Sequence, residues 1–225
     1  MKKLFRQYIE IVFVALLLAF FVRFFFVAAY RVTSLNMEPN LKMGDFVLAS
    51  KWSTGWRIPW DKQKILRSVW PERGEVVIFE CPGAKGVNCV KRLIGLPGDR
   101  VEILKGKLVV NGKKARYSKV NRVQFGALAL KETHEQDSRI VQARVGKESL
   151  EKVDEYGPIV VPPGHFFVLS DDRRDGIDSR EWGAVPKSSL IGVASLIWLS
   201  LDWQRPILGG VFPGVRTERL FQWVH

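Results

Sequence analysis

Residues 9–30, "IEIVFVALLLAFFVRFFFVAAY", are almost unbroken in apolar character, with Glu10 and Arg23 the charged exceptions. A bilayer-spanning helix needs about 20 apolar residues, so the pattern predicts one N-terminal transmembrane helix over 8–30. A charge at the bilayer centre costs roughly 2.5–3.5 kcal/mol, which places Arg23 near an interface with its stem snorkelling. Lys2, Lys3 and Arg6 ahead of the run resemble the start of a cleaved signal peptide. The run is too long for one, however, and no small-x-small pattern leads into a polar mature start. The reading is a retained anchor. The positive-inside bias then leaves 1–7 in the cytoplasm and 31–225 outside it.

Beyond residue 30 the pattern shortens to that of strands. "DFVLASKW" and "GEVVIFECP" are brief runs rich in Val, Ile and Phe, bounded by Gly and Pro. "VEILKGKLVVNGKKA" holds two turn signals, Lys105-Gly106 and Asn111-Gly112, and Asn-Gly is the strongest short hairpin cue. "PIVVPPGHFFVLSDD" and "GVASLIWLSLDW" continue the series. Eight or more short strands with tight turns predict a mostly β, antiparallel domain. Residues 113–156 are charged and weakly periodic, and read as an inserted hairpin or loop. Trp52, Trp56, Trp60 and Trp70, four of the eight tryptophans, crowd residues 52–72. They fit either the packing of a satellite loop or a dip into the membrane interface.

Composition changes this picture little. With 47% hydrophobic residues in a chain of 225, a packed core is expected. The formal net charge of +12 raises nucleic acid as a partner. Yet the basic residues are scattered and show no helix-turn-helix or finger spacing, so anionic lipid headgroups are the preferred partner and nucleic acid is not expected. Cys81 and Cys89 flank "PGAKGVN", the tip of a predicted hairpin; a disulfide and two free thiols both fit. No CxxC pair occurs, and His134, His165 and His225 have no ligand spacing, so no metal is expected.

Three clusters carry candidate chemistry: "SLNMEPNL" at 34–41, "VKRLIGLPGDRVE" at 90–102 and "SDDRRDGIDSREWGAVP" at 170–186. Each alone reads as polar strand or turn. Together, with "MGDFVLASK", "RGEVVIF", "LVVNGK" and the closing "VRTERLFQWVH", they resemble the blocks of type I signal peptidases, membrane-anchored Ser/Lys endopeptidases, over nearly the whole chain. The resemblance implies an antiparallel β-barrel-like catalytic domain on the outer surface of a bacterial cytoplasmic membrane. It implies signal peptides or extended segments of exported proteins as partners, and no cofactor. It also assigns roles. Asn36 occupies the nucleophile position, Lys91 that of the general base, and Ser34 that of an oxyanion-hole hydroxyl. Arg92, Ser170, Asp178, Ser179 and Arg180 are supporting residues, and Met37 and Pro39 would contact substrate.

That chemistry has physical requirements. A hydroxyl is a poor nucleophile without a base beside it, and a lysine acts as base only when neutral, a form that apolar burial favours. On strand alternation Cys89, Lys91 and Leu93 share a face, opposite Arg92 and Ile94. Departures from the family pattern fall at the site itself. A carboxamide replaces the nucleophilic hydroxyl at Asn36. Thr33 and Leu35 replace proline and glycine, Ser170 replaces a glycine, and Gly176 replaces the serine that orients the lysine. Ser34 is an alternative nucleophile, but two residues of strand displace it by about 6.6–6.8 Å, against the roughly 2.6–3.2 Å that proton transfer needs. Ser170 is expected as a bond partner of Lys91.

Two functional readings follow. In one the chain is a signal peptidase whose activity is impaired at Asn36. In the other it is an inactive paralogue that binds or chaperones exported proteins. A third, an envelope structural protein without a peptide site, finds little support.

Overall fold

A computed structural model describes residues 2–25, 27–50, 57–58, 61–65, 69–122, 127–134, 137–144, 155–173, 177–207 and 211–224. Helix α1 (Lys2–Phe25) covers most of the predicted anchor, and its side chains from 5 to 18 are exposed. Among the described residues no helix is long and apolar enough to cross a membrane. The Arg23 side chain lies outside the described residues, as do Trp52, Trp56 and Trp60. The helix stops at Phe25, and residues expected at the end of the anchor form β1 (Val27–Arg31), which pairs with β2 (Asp45–Ser50).

Two very short strands, β3 (Arg57–Ile58) and β4 (Asp61–Ile65), pair with each other. The run "GEVVIFECP" supplies β5 (Val76–Glu80), and the lysine cluster supplies β6 (Asn88–Gly95). They form a hairpin whose tip is closed by a Cys81–Cys89 disulfide with Cα atoms 5.1 Å apart. The hairpins β7 (Arg100–Leu104) to β8 (Lys107–Val110) and β8 to β9 (Lys113–Lys114) turn where expected. Lys105-Gly106 and Asn111-Gly112 both have positive φ throughout, the twist that tight hairpins require.

Residues 113–156 hold more than a hairpin. After β9 come β10 (Arg116–Arg122), β11 (Ala127–His134) and β12 (Asp137–Arg144), a separate three-stranded antiparallel sheet. Then β13 (Tyr156–Val160) joins β7, and β14 (His165–Leu169) joins β6. The short helix α2 (Ser179–Trp182) and β15 (Val185–Pro186) lead into β16 (Leu190–Ile207), which pairs with β2, β5, β17 (Phe212–Val215) and β18 (Gln222–Trp223). The main sheet runs β1-β2-β16-β5-β6-β14-β15. The mostly β, antiparallel expectation holds, but among the described residues the sheet is an open path rather than a closed barrel, because β1 and β15 end it without pairing to each other.

Strands β5, β6 and β14 are buried on both faces, and successive side chains enter different ones of the three core clusters. Ile94 enters one with Val101, Ile103 and Phe167, while Leu93 enters another with Val77, Phe79 and Phe166, bordered by Cys89, Trp70 and Trp182. The alternation read from β6 is therefore realised. Gly95 allows the close approach behind it: a Cβ there would lie 2.8 Å from the Val101 side chain and 3.2 Å from Phe167 Cβ. Trp70 packs as a satellite of the core, with the Lys187 amine 3.9 Å from its ring centroid.

Candidate active site

Lys91 sits mid-strand on β6 opposite Val77 of β5, inside the sheet, and only 2% of its surface is exposed. Its Nζ donates to Ser170 Oγ at 2.7 Å, and the Trp182 ring centroid lies 6.0 Å away. Ser170 directly follows β14, the other neighbour of β6, and is fully buried. A residue at the expected glycine position thus supplies a hydroxyl to the lysine. Gly176, where the family's orienting serine would stand, lies outside the described residues.

The loop after β14 is pinned by charge. Arg92 Nε and Nη2 each meet an Asp171 carboxylate oxygen at 2.6 Å, and Nη1 donates to the Gly74 carbonyl. Both side chains of this forked pair are wholly buried. Asp178 accepts the Ser170 N–H at 2.9 Å and caps α2 by accepting from Arg180 N–H, while Arg180 Nη2 pairs with it at 2.8 Å. Ser179 Oγ accepts the Val168 N–H at 3.0 Å. Arg180 Nη1 donates to the Arg173 carbonyl at 2.9 Å.

The Asn36 segment reaches this loop through its backbone: the Asn36 carbonyl accepts the Asp172 N–H at 2.9 Å. Residues 32–34 are irregular and 36–40 form turns, closed by Leu41 N–H to the Met37 carbonyl at 2.8 Å. The strand spacing assumed between Ser34 and Asn36 therefore does not apply. The expectation for Met37 also changes. Its side chain is fully buried with Leu41, Val47 and Ile78, where it anchors the turn from below instead of facing a peptide. Pro39, Ser34 and Asn36 are half-buried. Asn40 Nδ2 donates both to Asp171 Oδ2 and to the Ile140 carbonyl of β12, each at 2.7 Å. Arg219 Nη2 holds the Asn40 carbonyl at 2.8 Å and Asp45 at 2.6 Å.

Lys91, Arg92, Ser170, Asp178, Ser179 and Arg180 thus form one connected group, joined to Asn36 through Asp172. Sequence reasoning missed Asp171 and Asn40, although Asp171 adjoins Ser170 in the quoted block and an acidic partner for Arg92 had to exist. It also missed a buried cluster behind the loop. Glu132 of β11 accepts from Arg139 Nε at 2.9 Å, from Arg173 Nη2 at 2.7 Å and from the Tyr117 hydroxyl. Burial pushes its carboxyl up, but the two guanidinium groups and the Tyr117 hydroxyl more than offset this and hold it down to about 2. Tyr117 is raised by burial and by the Glu132 charge. Among the described residues no group of His, Cys, Asp and Glu is arranged to hold a metal ion. Chemically, the arrangement offers a shielded amine bonded to a hydroxyl, on a loop whose Asp172 N–H holds the backbone of the Asn36 turn.

The family described as "Signal peptidase, peptidase S26" matches residues 5–199. The chain is 32% identical over 215 residues to a signal peptidase I of Pseudomonas fluorescens, covering 90% of this chain and 73% of that protein. It is 30% identical to the signal peptidase I of Pseudomonas aeruginosa, covering 89% and 72%. The signal peptidase I of Aquifex aeolicus is 28% identical, covering 87% and 84%. A solved signal peptidase I from Enterococcus faecalis V583 superposes with a TM-score of 0.36 at 27% identity, over 56% of this chain and 97% of that one. By the length of the match and the identity of these relatives, this chain belongs to the signal peptidase family, peptidase S26.

Proposed function

We propose that this chain receives the extended cleavage region of signal peptides at the outer face of a bacterial cytoplasmic membrane, on a scaffold built for Ser/Lys hydrolysis, and that Asn36 keeps it from cleaving them at a normal rate. One observation carries this reading. The Lys91 amine is buried and bonded to Ser170 Oγ at 2.7 Å, placed to act as a base, while position 36 bears a carboxamide. Burial disfavours the ammonium form of a lysine. A carboxamide nitrogen is delocalised into its carbonyl and does not attack a peptide. Ser170 is a poor nucleophile candidate because it is fully enclosed.

In this reading Lys91 is the base, Ser170 its orienting partner, and Ser34 with the Asn36 N–H the donors for a developing oxyanion. The peptide docks as an added strand near residues 34–36. Helix α1 anchors the chain, and the basic surface faces anionic lipid.

The test is Asn36→Ser. This variant should acquire cleavage of a signal-peptide substrate after a small residue, and the unaltered chain should bind the same peptide without cutting it. Binding without any gain of cleavage would favour the purely binding paralogue. Cleavage by the unaltered chain that Ser34→Ala abolishes would make Ser34 the nucleophile, and would overturn the role given to Asn36.

A further inference from the structure

Among the described residues sheet β10–β12 shares no strand pairing with the main sheet, yet it touches both halves of the candidate site. On one side the Ile140 carbonyl accepts from Asn40, whose amide also holds Asp171. On the other, Glu132 binds the guanidinium of Arg173. Arg173 directly follows Asp172, whose N–H holds the Asn36 carbonyl, and its own carbonyl is held by Arg180. Glu132 is fully buried, and the side chains of Arg139 and Arg173 are 6% and 14% exposed. Tyr117, which donates to Glu132, also accepts the Leu108 N–H of β8 at 3.1 Å.

The geometry points to Glu132 as a positioning residue: by neutralising Arg139 and Arg173 together, it holds the loop 170–173 against the Asn36 turn, so that sheet β10–β12 sets the distance between the nucleophile seat and the lysine. This rests on the reading of Lys91 and Asn36 as the site. The argument is electrostatic. Without the carboxylate, the two guanidinium groups would lose the counter-charge they share in a poorly hydrated space, and removing one member of a buried ion pair is strongly unfavourable. Arg173 is the more exposed of the two and sits on a loop rather than a strand, so it is the one expected to swing toward water. Asp172 is attached to it and would leave the Asn36 carbonyl.

The test uses the full-length chain in detergent, with residue-resolved amide hydrogen exchange on Glu132→Gln and Glu132→Ala. The Asp172 amide, bonded to Asn36, and the Ser170 amide, bonded to Asp178, should exchange about tenfold faster or more in both variants. The Leu93 amide, bonded to the Glu75 carbonyl in the main sheet, should keep its protection. Glu132→Gln preserves size and is the deciding variant if Glu132→Ala does not fold. Unchanged exchange at Asp172, or equal acceleration at Leu93, would overturn the proposal and leave Glu132 a general stabiliser. A second arm places Glu132→Gln on Asn36→Ser. There kcat should fall by roughly tenfold or more with KM little altered, because misplacement costs rate before binding. An unchanged kcat would also overturn it. If Asn36→Ser itself never cleaves, the reading of the site fails, and the exchange arm still decides the role of Glu132.

Discussion

Lys91 Nζ and Ser170 Oγ lie 2.7 Å apart, brought together from neighbouring strands 79 positions distant in the chain, and neither is open to solvent. The hydroxyl that holds the lysine enters from the start of the loop after β14, where the family pattern has a glycine.

This relationship predicts an exchange of positions. On an Asn36→Ser background, Ser170→Gly should lower kcat by about 100-fold, the order of a positioned acid–base contribution. Adding Gly176→Ser should restore much of that loss. Cleavage kinetics of the three variants decide it, and a Ser170→Gly variant as fast as its parent would refute the role of Ser170.

The Arg92–Asp171 pair is entirely buried and forked. Removing one partner strands the other charge, so Asp171→Ala and Arg92→Met should each destabilise the fold by about 3–5 kcal/mol. Arg92→Lys should recover little, because an ammonium cannot form the two parallel bonds. Denaturant unfolding of the folded fraction measures both.

Acid should loosen the β10–β12 sheet. The Glu132 carboxyl is held down to about 2, below an unfolded value of about 4.3. A depressed carboxyl stabilises the fold above the unfolded value and loses that contribution as pH falls through the folded one. Stability should therefore decline between about pH 4 and pH 2. Glu132→Gln should remove part of that slope, as read from unfolding midpoints across the range.

Replacing Cys81 and Cys89 together by Ser should cost about 2–3 kcal/mol, the loop-closure entropy expected for a short crosslink. The effect should be concentrated at the β5–β6 tip, and hydrogen exchange of the Cys81 amide, which bonds the Val87 carbonyl, should report it. Exchange there as slow as in the unaltered chain would count against it.

Local rules explain what was legible. Lys105-Gly106 and Asn111-Gly112 need positive φ, and their neighbours alternate, so both hairpins followed from the residues. The two faces of β6 separated because apolar residues flank Lys91 at every second position. What failed depended on distant partners. The spacing between Ser34 and Asn36 reads as that of a strand, but the Asp172 N–H and Arg219 hold the stretch 32–40 as irregular backbone and turn. Met37 takes its substrate-contact role from the resemblance, and nothing local says that it packs into the core with Val47 and Ile78. Glu132 stands in a charged stretch whose periodicity is weak, and its two arginines come from different elements. The place of Asn36 where the family pattern has a hydroxyl comes from the resemblance of the motif and not from any tertiary contact.

Arg219 clasps the Asn40 carbonyl from 179 positions downstream, and Ser200 reaches Asp45 across 155. During synthesis, then, the lysine strand and the loop that braces it would emerge before the residue that clasps Asn40. Contacts of such long separation form slowly. Until Arg219 has been made, a growing chain would hold the turn at 36–40 from one side alone.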